Sequence, residues 1–531
     1  MNPRYLIGFD LPKLKKDFFD LIVVGSGIAA LSLVAKVPPN LKVLVLTKGK
    51  PEESSTYYAQ GGIAAAISPA DQPKFHLEDT LEAGNGLCDL SAVEILVNEG
   101  PSRVEDLIEW GVEFDRKNGD LVLGREGGHS LARIVHHGDS TGREIERVLL
   151  KKVETLPNLD FRAGEFAIDL LTQESHCVGV IAFDEKESLK AYLAPHVVLA
   201  TGGAGALYQS TTNPEIATGD GVAMAFRAGA YLADLEFFQF HPTALNTLEN
   251  PRFLITESLR GAGAYLVDSK GRRFMKGIHP LAELAPRYVV VKEMVKIIEE
   301  GEKIFIDARH IATSELKQNF PGIFNHCLKL GLDLSKDLIP ICPAAHFFIG
   351  GVRTDLKGRT NLSGLLACGE VAATYVHGSN RLASNSLLES LVFSQRIATF
   401  LSEEKPLISK TDLTNLCLST SNLKGHAGQS VEAIQALMTE KVGILRRGDD
   451  LKEALEAFES MKRQSIKVES RKSGEFANLL TVAELVARAA WRREESRGVH
   501  IREDFPEKDE RWRKHILVWR GEDGQVQLGY D

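Results

Sequence analysis

Phe19-Asp20-Leu21-Ile22-Val23-Val24-Gly25-Ser26-Gly27-Ile28-Ala29-Ala30 sets the architecture of this chain. The run Leu21 to Val24 is apolar without alternation, as in a parallel strand buried on both faces. It breaks at Gly25-Ser26-Gly27 and resumes as a helix of small residues through Ala29, Ala30 and Leu33. Gly25 permits the tight turn. Gly27 lets a pyrophosphate reach the backbone, Ala30 lets helix and strand pack closely, and the helix N-terminus faces the phosphates. This is the G-x-G-x-x-[G/A] dinucleotide pattern in its strand–turn–helix setting. The acid expected about 20 residues on, which holds a ribose hydroxyl, is missing. The second strand, Lys42 to Thr47, ends in Lys48 instead, so a plain NAD site is not expected.

The chain has 531 residues, enough for two to four domains. It is 44% hydrophobic and 25% charged, with a net charge of −9, as for a globular protein without a nucleic-acid footprint. Leu21 to Ala35 follows Lys13, Lys15 and Lys16, but Asp17 and Asp20 interrupt the junction. The stretch is also shorter than the ~20 residues of a membrane span, so neither a signal peptide nor a membrane anchor is expected. The six cysteines, Cys88, Cys177, Cys327, Cys342, Cys368 and Cys417, form no C-x-x-C. They read as cytosolic thiols with no zinc or iron–sulfur spacing, so no metal is expected.

Outward from the first turn, residues 17 to about 236 alternate short strands with helical segments, as in a doubly wound α/β domain. Further strand–turns occur at Val197–Gly203 and Gly364–Glu370. The second of these meets its helix only after a long insertion. The expected organisation is a discontinuous nucleotide domain, 1–236 and 348–422, interrupted by an α+β domain at 237–347 that begins near Gln239-Phe240-His241-Pro242. A helical domain is expected at 423–531. There, Asp449 can cap a helix carrying Leu451, Leu455, Phe458 and Met461. A second helix runs from Glu475 to Ser496 and ends at Gly498. Ile516 to Arg520 and Gln525 to Leu528 read as a hairpin.

Five clusters could do chemistry. Ser55-Thr56-Tyr57-Tyr58-Ala59-Gln60-Gly61-Gly62 is a small polar loop able to present N–H groups to a phosphate or a flavin ring, or a simple surface turn. Arg125-Glu126-Gly127-Gly128-His129-Ser130 is a charged glycine loop. His241-Pro242-Thr243 precedes Thr256-Glu257-Ser258-Leu259-Arg260-Gly261. Arg287 follows Ala285-Pro286, and His346 closes the same insertion. Last, His377 to Glu389 leads through Arg381, Ser384, Ser386 and Leu387 into a helix, with Arg381 able to clamp a carboxylate through two parallel hydrogen bonds. Arg287, Arg381 and the histidine pair suit an anion with two carboxylates.

Together these clusters resemble the succinate dehydrogenase and fumarate reductase flavoproteins, and among them the L-aspartate oxidases. The resemblance runs from about residue 18 to the end and includes Glu495-Ser496-Arg497-Gly498-Val499-His500-Ile501-Arg502-Glu503-Asp504-Phe505-Pro506. It implies FAD, held at Gly25, Ser26, Gly27, Ile28, Ala29 and Lys48, along the Ser55 to Gly62 loop, and by Asp220, Glu370, Ser386 and Leu387. Ser55 stands where respiratory relatives carry the histidine bonded to flavin, so the FAD is expected to be noncovalent. The insertion becomes a capping domain. Glu126, His241, Thr256, His346, Arg381 and Ser384 are then the expected substrate contacts. Arg287 becomes the proton donor or acceptor, with Glu257 and Arg260 as a relay. Glu126 is expected to pair with the α-ammonium of L-aspartate, which succinate lacks.

The implied reaction oxidises L-aspartate to iminoaspartate, with hydride passing to flavin N5 and reoxidation by oxygen or fumarate. It is the first step of bacterial quinolinate and NAD biosynthesis, with quinolinate synthase as a partner. The alternatives are a soluble fumarate reductase or succinate dehydrogenase, against which Ser55 and Glu126 count, and the flavoprotein subunit of a larger redox complex. A third, an NAD-binding dehydrogenase, would need an acid in place of Lys48.

Overall fold

Five parallel strands organise the computed structural model, which describes residues 2–404, 419–420, 430–463 and 467–531. They are β1 (Leu21–Val24), β2 (Val43–Thr47), β3 (Leu159–Ala163), β4 (His196–Leu199) and β5 (Leu365–Ala367), in sheet order β3-β2-β1-β4-β5. Every pairing is parallel. The order reverses direction between β1 and β4, and in doubly wound sheets ligands enter the crevice outside the carboxyl ends of the strands at such a point. Leu21 and Val23 pack on one face with Leu31, Leu388 and Val392, whereas Ile22 and Val24 pack on the other with Val222 and Phe226. Both faces are therefore covered, which is why the strand sequences do not alternate.

The two walls of the crevice meet at Gly25, between β1 and α1 (Ile28–Val34). Its φ is +121°, and a Cβ placed there would lie 2.1 Å from the Ala200 carbonyl oxygen, just past β4. Gly25→Ala is therefore expected to give a protein that purifies largely without cofactor, checked by the flavin-to-protein absorbance ratio. Wild-type flavin content in that variant would contradict this packing.

Phe238–Leu245 and Ile339–Phe348 leave and re-enter the nucleotide domain as adjacent antiparallel strands. They belong to a four-stranded sheet with Tyr265–Asp268 and Ile304–Asp307. With α2 (Arg287–Glu299) this sheet forms a separate core around Leu259, Leu266, Val290, Met294 and Ile306. Returning to the nucleotide domain, the chain runs into α3 (Asn385–Glu403), which packs on α1.

The C-terminal helices are α4 (Gly448–Arg463) and α5 (Arg471–Arg492). Asp449 lies in the first turn of α4 rather than capping it. The second helix starts before Glu475, because Ser470 and Ser473 form a reciprocal capping box, and it stops at Arg492. Gly498 lies beyond it in a turn against Ser379. The hairpin is present at Ile516–Arg520 and Val526–Tyr530, but it is no appendage of a helical domain. It pairs with Leu232–Ala233 and completes a sheet that includes Gly351–Arg353 and Ala372–Ala373 of the nucleotide domain. The expected boundary at 422/423, and Cys417, lie outside the described residues.

Candidate active site

A cavity of about 1620 Å³, its mouth included, opens outside the carboxyl ends of β1 and β4 and extends beneath the inserted sheet. Its near end is lined by the Gly25–Ala29 turn, Lys48, Glu165, Phe166 and Asp220. Gly27 lines this space, and a Cβ placed there would lie 3.1 Å from the Thr56 hydroxyl. Thr201 Oγ1 here, and Gln60 Oε1 further along the cavity, are buried without a hydrogen-bond partner among the described residues. Buried polar atoms are rarely left unpaired, so this end fits a polar dinucleotide guest such as FAD. Lys48 is not a free cation: its Nζ donates to Asp220 (2.6 Å) and Thr218 (2.6 Å) and pairs with Glu475 on α5 (2.7 Å). Asn478 donates to the other Asp220 oxygen at 2.7 Å. Glu165 also lines this end: its N–H bonds the Thr47 carbonyl, and its carboxylate accepts from Tyr192 and Lys190.

The loop Ser55 to Gly62 runs along the middle of the cavity, and the Thr56 hydroxyl accepts the Ile28 N–H at 3.0 Å. Tyr57 departs from expectation. It turns out of the cavity beneath the Arg143 guanidinium, 4.9 Å from the ring centre, whereas Tyr58 lines it. The chain turns here, with the Ala59 N–H bonded to the Thr56 carbonyl at 3.0 Å, and only Tyr58 of the pair faces the space. Glu370 sits at the floor and accepts the Phe348 N–H at 2.9 Å; burial pushes its carboxyl up to about 7.

The far end gathers residues separated by up to 258 positions. Glu126, His241, Thr256, Glu257, Arg287, His346, Arg381 and Ser384 all line it. Arg287 Nε donates to Glu257 Oε2 (2.8 Å) and Nη1 to Gln239 Oε1 (2.9 Å), which leaves Nη2 for a guest. Glu257 also accepts the Gly127 N–H at 2.9 Å and pairs with Arg260 at 3.4 Å. Burial raises the Glu257 carboxyl, but Arg260 and Arg287 overcome that and hold it below its ordinary value. Arg260 itself does not line the cavity: it stands behind Glu257, bonded to the Glu283 carbonyl.

His241 and His346 lie with ring centres 4.9 Å apart. Burial first, and then the Arg287 charge, push both well below the usual histidine range, so both are neutral. The Thr243 N–H donates to His241 Nδ1 at 3.2 Å, which places the His241 proton on Nε2, ready to donate. His346 Nδ1 is paired with Thr212 at 2.8 Å. Arg381 is 4% exposed, lies over the Phe347 ring at 4.4 Å and donates Nη1 to Ser386, while its Nε has no partner among the described residues. Burial and the Arg287 charge pull its guanidinium down from its ordinary value. A buried cation with no carboxylate at hydrogen-bond distance among the described residues suits an anionic guest.

Glu126 faces these cations. Its two oxygens accept from Ser384 (2.6 Å) and Ser258 (3.3 Å). Gly61 approaches so closely that a Cβ there would lie 3.2 Å from Oε1. Burial, then the Glu257 charge, raise the Glu126 carboxyl, against the Ser384 hydrogen bond and the pull of Arg287 and Arg381. The arrangement can grip two carboxylates, exchange a proton at Arg287 and receive a positive group at Glu126.

Sequence reasoning missed Glu165, Thr212, Gln239 and Phe347. Gln239 had a signal, since it adjoins the break at His241-Pro242. The others sit in unremarkable strands and turns and enter the site only through the fold. No group of His, Cys, Asp and Glu side chains able to hold a metal ion occurs among the described residues, and no helix among them is long and apolar enough to cross a membrane.

Comparison with known proteins gives a consistent answer. The FAD binding domain family matches residues 20–387, and the fumarate reductase flavoprotein C-terminal family matches residues 431–531. The L-aspartate oxidase of Streptomyces coelicolor is 44% identical over 94% of this chain and 91% of its own. That of Yersinia pestis is 41% identical over 94% of this chain and 98% of its own. Among solved structures, an Escherichia coli quinol fumarate reductase FrdA variant superposes with a TM-score of 0.89 at 29% identity, covering 98% of this chain and 97% of that one.

Proposed function

The chain belongs to the L-aspartate oxidases, within the succinate dehydrogenase and fumarate reductase flavoproteins, and from this premise we propose that it oxidises L-aspartate to iminoaspartate, a step of NAD biosynthesis, with a division of labour among its own side chains. The observation that carries the reading is the buried Glu126 carboxylate facing a cluster of cations and neutral imidazoles. A four-carbon diacid fits the cations, and only a diacid bearing an ammonium also satisfies Glu126.

FAD, when bound, accepts two electrons as a hydride from the substrate and passes them on to oxygen or fumarate. The turn at Gly25 to Ala29, the Ser55 to Gly62 loop apart from the Tyr57 side chain, Lys48 with Asp220, and Glu370, Ser386 and Leu387 would hold it, without a covalent bond because Ser55 offers no ring nitrogen. Arg381, His241, His346 and Thr256 bind the two carboxylates. Glu126, steadied by Ser384, binds the ammonium. A proton leaving the substrate is taken at Arg287 Nη2 by a transiently neutral guanidine, in the tautomer with its lone pair on Nη2, after Arg287 has given one proton to the Glu257 carboxylate; Arg287 is thereby returned to the cation and Glu257 is left protonated. Glu257 is held between Arg287 and Arg260, and Gln239 fixes the plane of Arg287 from the other side. The product is a hydrolysable imine, so the reading includes direct use by quinolinate synthase. Free thiols at Cys88, Cys177, Cys327, Cys342 and Cys368 support a cytoplasmic setting.

Anaerobic L-aspartate is expected to bleach the flavin of the loaded protein, with succinate far slower. Ready bleaching by succinate and none by L-aspartate would overturn the assignment. The pH dependence follows from Glu126. Because its carboxyl titrates above the ordinary value, acidification protonates it early and removes the partner of the ammonium. KM for L-aspartate is therefore expected to rise on acidification at a higher pH than an ordinary carboxylate would give. KM for succinate should lack that limb, as steady-state profiles of both substrates would reveal.

A further inference from the structure

The charged glycine loop carries a second buried group that the reaction does not use. His129 is 3% exposed, and its two ring nitrogens are both engaged. Nδ1 lies 3.0 Å from Arg133 Nη1, and Nε2 lies 2.9 Å from the Ala383 carbonyl oxygen. A guanidinium can only donate, so Nδ1 must accept and the ring proton must sit on Nε2, donating to Ala383. Arg133 cannot swing away to release this choice. It is wholly buried, its Nε and Nη2 donate to Asp71 (2.8 and 3.2 Å) and its Nη1 pairs with Asp79. Burial holds the His129 imidazolium at about 4, so the ring is neutral at working pH.

The carbonyl that His129 grips precedes Ser384, whose φ is +61°, a left-handed conformation that a residue with a Cβ adopts only when its surroundings impose it. On the other side, Asn385 is held by His76 (2.7 Å) and Thr80 (3.1 Å). Ser384 is thus strained between two pinned neighbours. That strain aims its Oγ at Glu126, 2.6 Å away.

We propose that Arg133 and His129 form a tautomer lock that holds Ser384 in its left-handed conformation and so orients Glu126 toward the substrate nitrogen. His129 is a positioning residue: it acts on discrimination between an amino diacid and a plain diacid while standing outside the cavity. The proposal rests on the reading that Glu126 receives the ammonium.

Two substitutions separate the lock from a merely structural role. His129→Gln keeps an N–H donor at the reach of Nε2, whereas His129→Asn is too short to bond Ala383. The readout is the ratio of kcat/KM for L-aspartate oxidation to kcat/KM for fumarate reduction, with Glu126→Gln measured beside them. His129→Asn is expected to lower the ratio about 10-fold, mainly through KM for L-aspartate, and His129→Gln to keep it within about twofold of wild type. An unchanged ratio in His129→Asn, or an equal loss with both substrates, overturns the lock. If Glu126→Gln leaves the ratio unchanged, the reading of Glu126 fails instead. Should His129→Asn not fold, the ¹⁵N shifts of His129 in the wild-type protein decide: a neutral ring protonated at Nε2 supports the lock, and an Nδ1-protonated or charged ring overturns it.

Discussion

Arg287→Gln is expected to lower kcat for L-aspartate about 10³-fold while flavin binding and fold survive. A positioned acid–base group contributes roughly 10²- to 10⁴-fold, and a thousandfold loss corresponds to about 4 kcal/mol of barrier. The fold survives because Glu257 keeps a cationic partner in Arg260 and the N–H of Gly127 when Arg287 is neutralised. Removing the carboxylate is different. Glu257→Gln leaves two buried guanidiniums facing each other, and breaking a buried ion pair costs about 3–5 kcal/mol. Glu257→Gln should therefore lose thermal stability as well as turnover, whereas Arg287→Gln should lose turnover alone. Single-turnover flavin reduction paired with thermal unfolding checks both. A kcat for Arg287→Gln within tenfold of wild type would remove Arg287 from the proton step.

Arg381→Met is the second large effect, and it falls on binding. The guanidinium is buried against Phe347 and, among the described residues, has an unpartnered Nε and is opposed by no carboxylate at hydrogen-bond distance. Losing one member of a buried charge pair costs about 2–5 kcal/mol, so kcat/KM should fall roughly 10²- to 10³-fold. The loss should be shared by L-aspartate and succinate, because Arg381 is assigned to a carboxylate that both possess. The substrate-free protein should be no less stable, since methionine replaces a desolvated cation that makes no contact ion pair among the described residues, and it can pack on Phe347. Steady-state kinetics with both substrates and a melting curve without them test this together. A loss confined to L-aspartate would place Arg381 on the wrong group.

The parts of the molecule that could be read from sequence are those whose physics is local. Leu21 to Ala30 states strand, turn and helix in ten consecutive residues, and Gly25 and Gly27 occupy positions that only the fold's own geometry requires. The inserted segment announced itself at Gln239 to Thr243, where a strand leaves the nucleotide domain. The convergence of Glu126 with Ser384 was not local: 258 positions separate them, and the hydrogen bond joining them depends on the backbone strain at Ser384. Lys48 read only as standing where the ribose-binding acid is expected; its neutralisation by Asp220 and Glu475 was not visible, because both come from distant segments. Tyr57 and Tyr58 were indistinguishable in the sequence, and only the path of the loop separates them. The C-terminal hairpin was legible as a hairpin, but its pairing with Leu232–Ala233 is a long-range choice that alternation cannot encode.

Glu126 bears the weight of the functional reading, because every other contact would serve succinate as well as L-aspartate. The direct measurement is anaerobic single-turnover reduction of the bound flavin in wild type and Glu126→Gln, with each of the two substrates. The expected result is a fall of about 10²-fold or more in the preference for L-aspartate, carried by slower reduction with L-aspartate and unchanged reduction with succinate. A Glu126→Gln protein that retains the wild-type preference would contradict the assignment of Glu126 to the substrate ammonium.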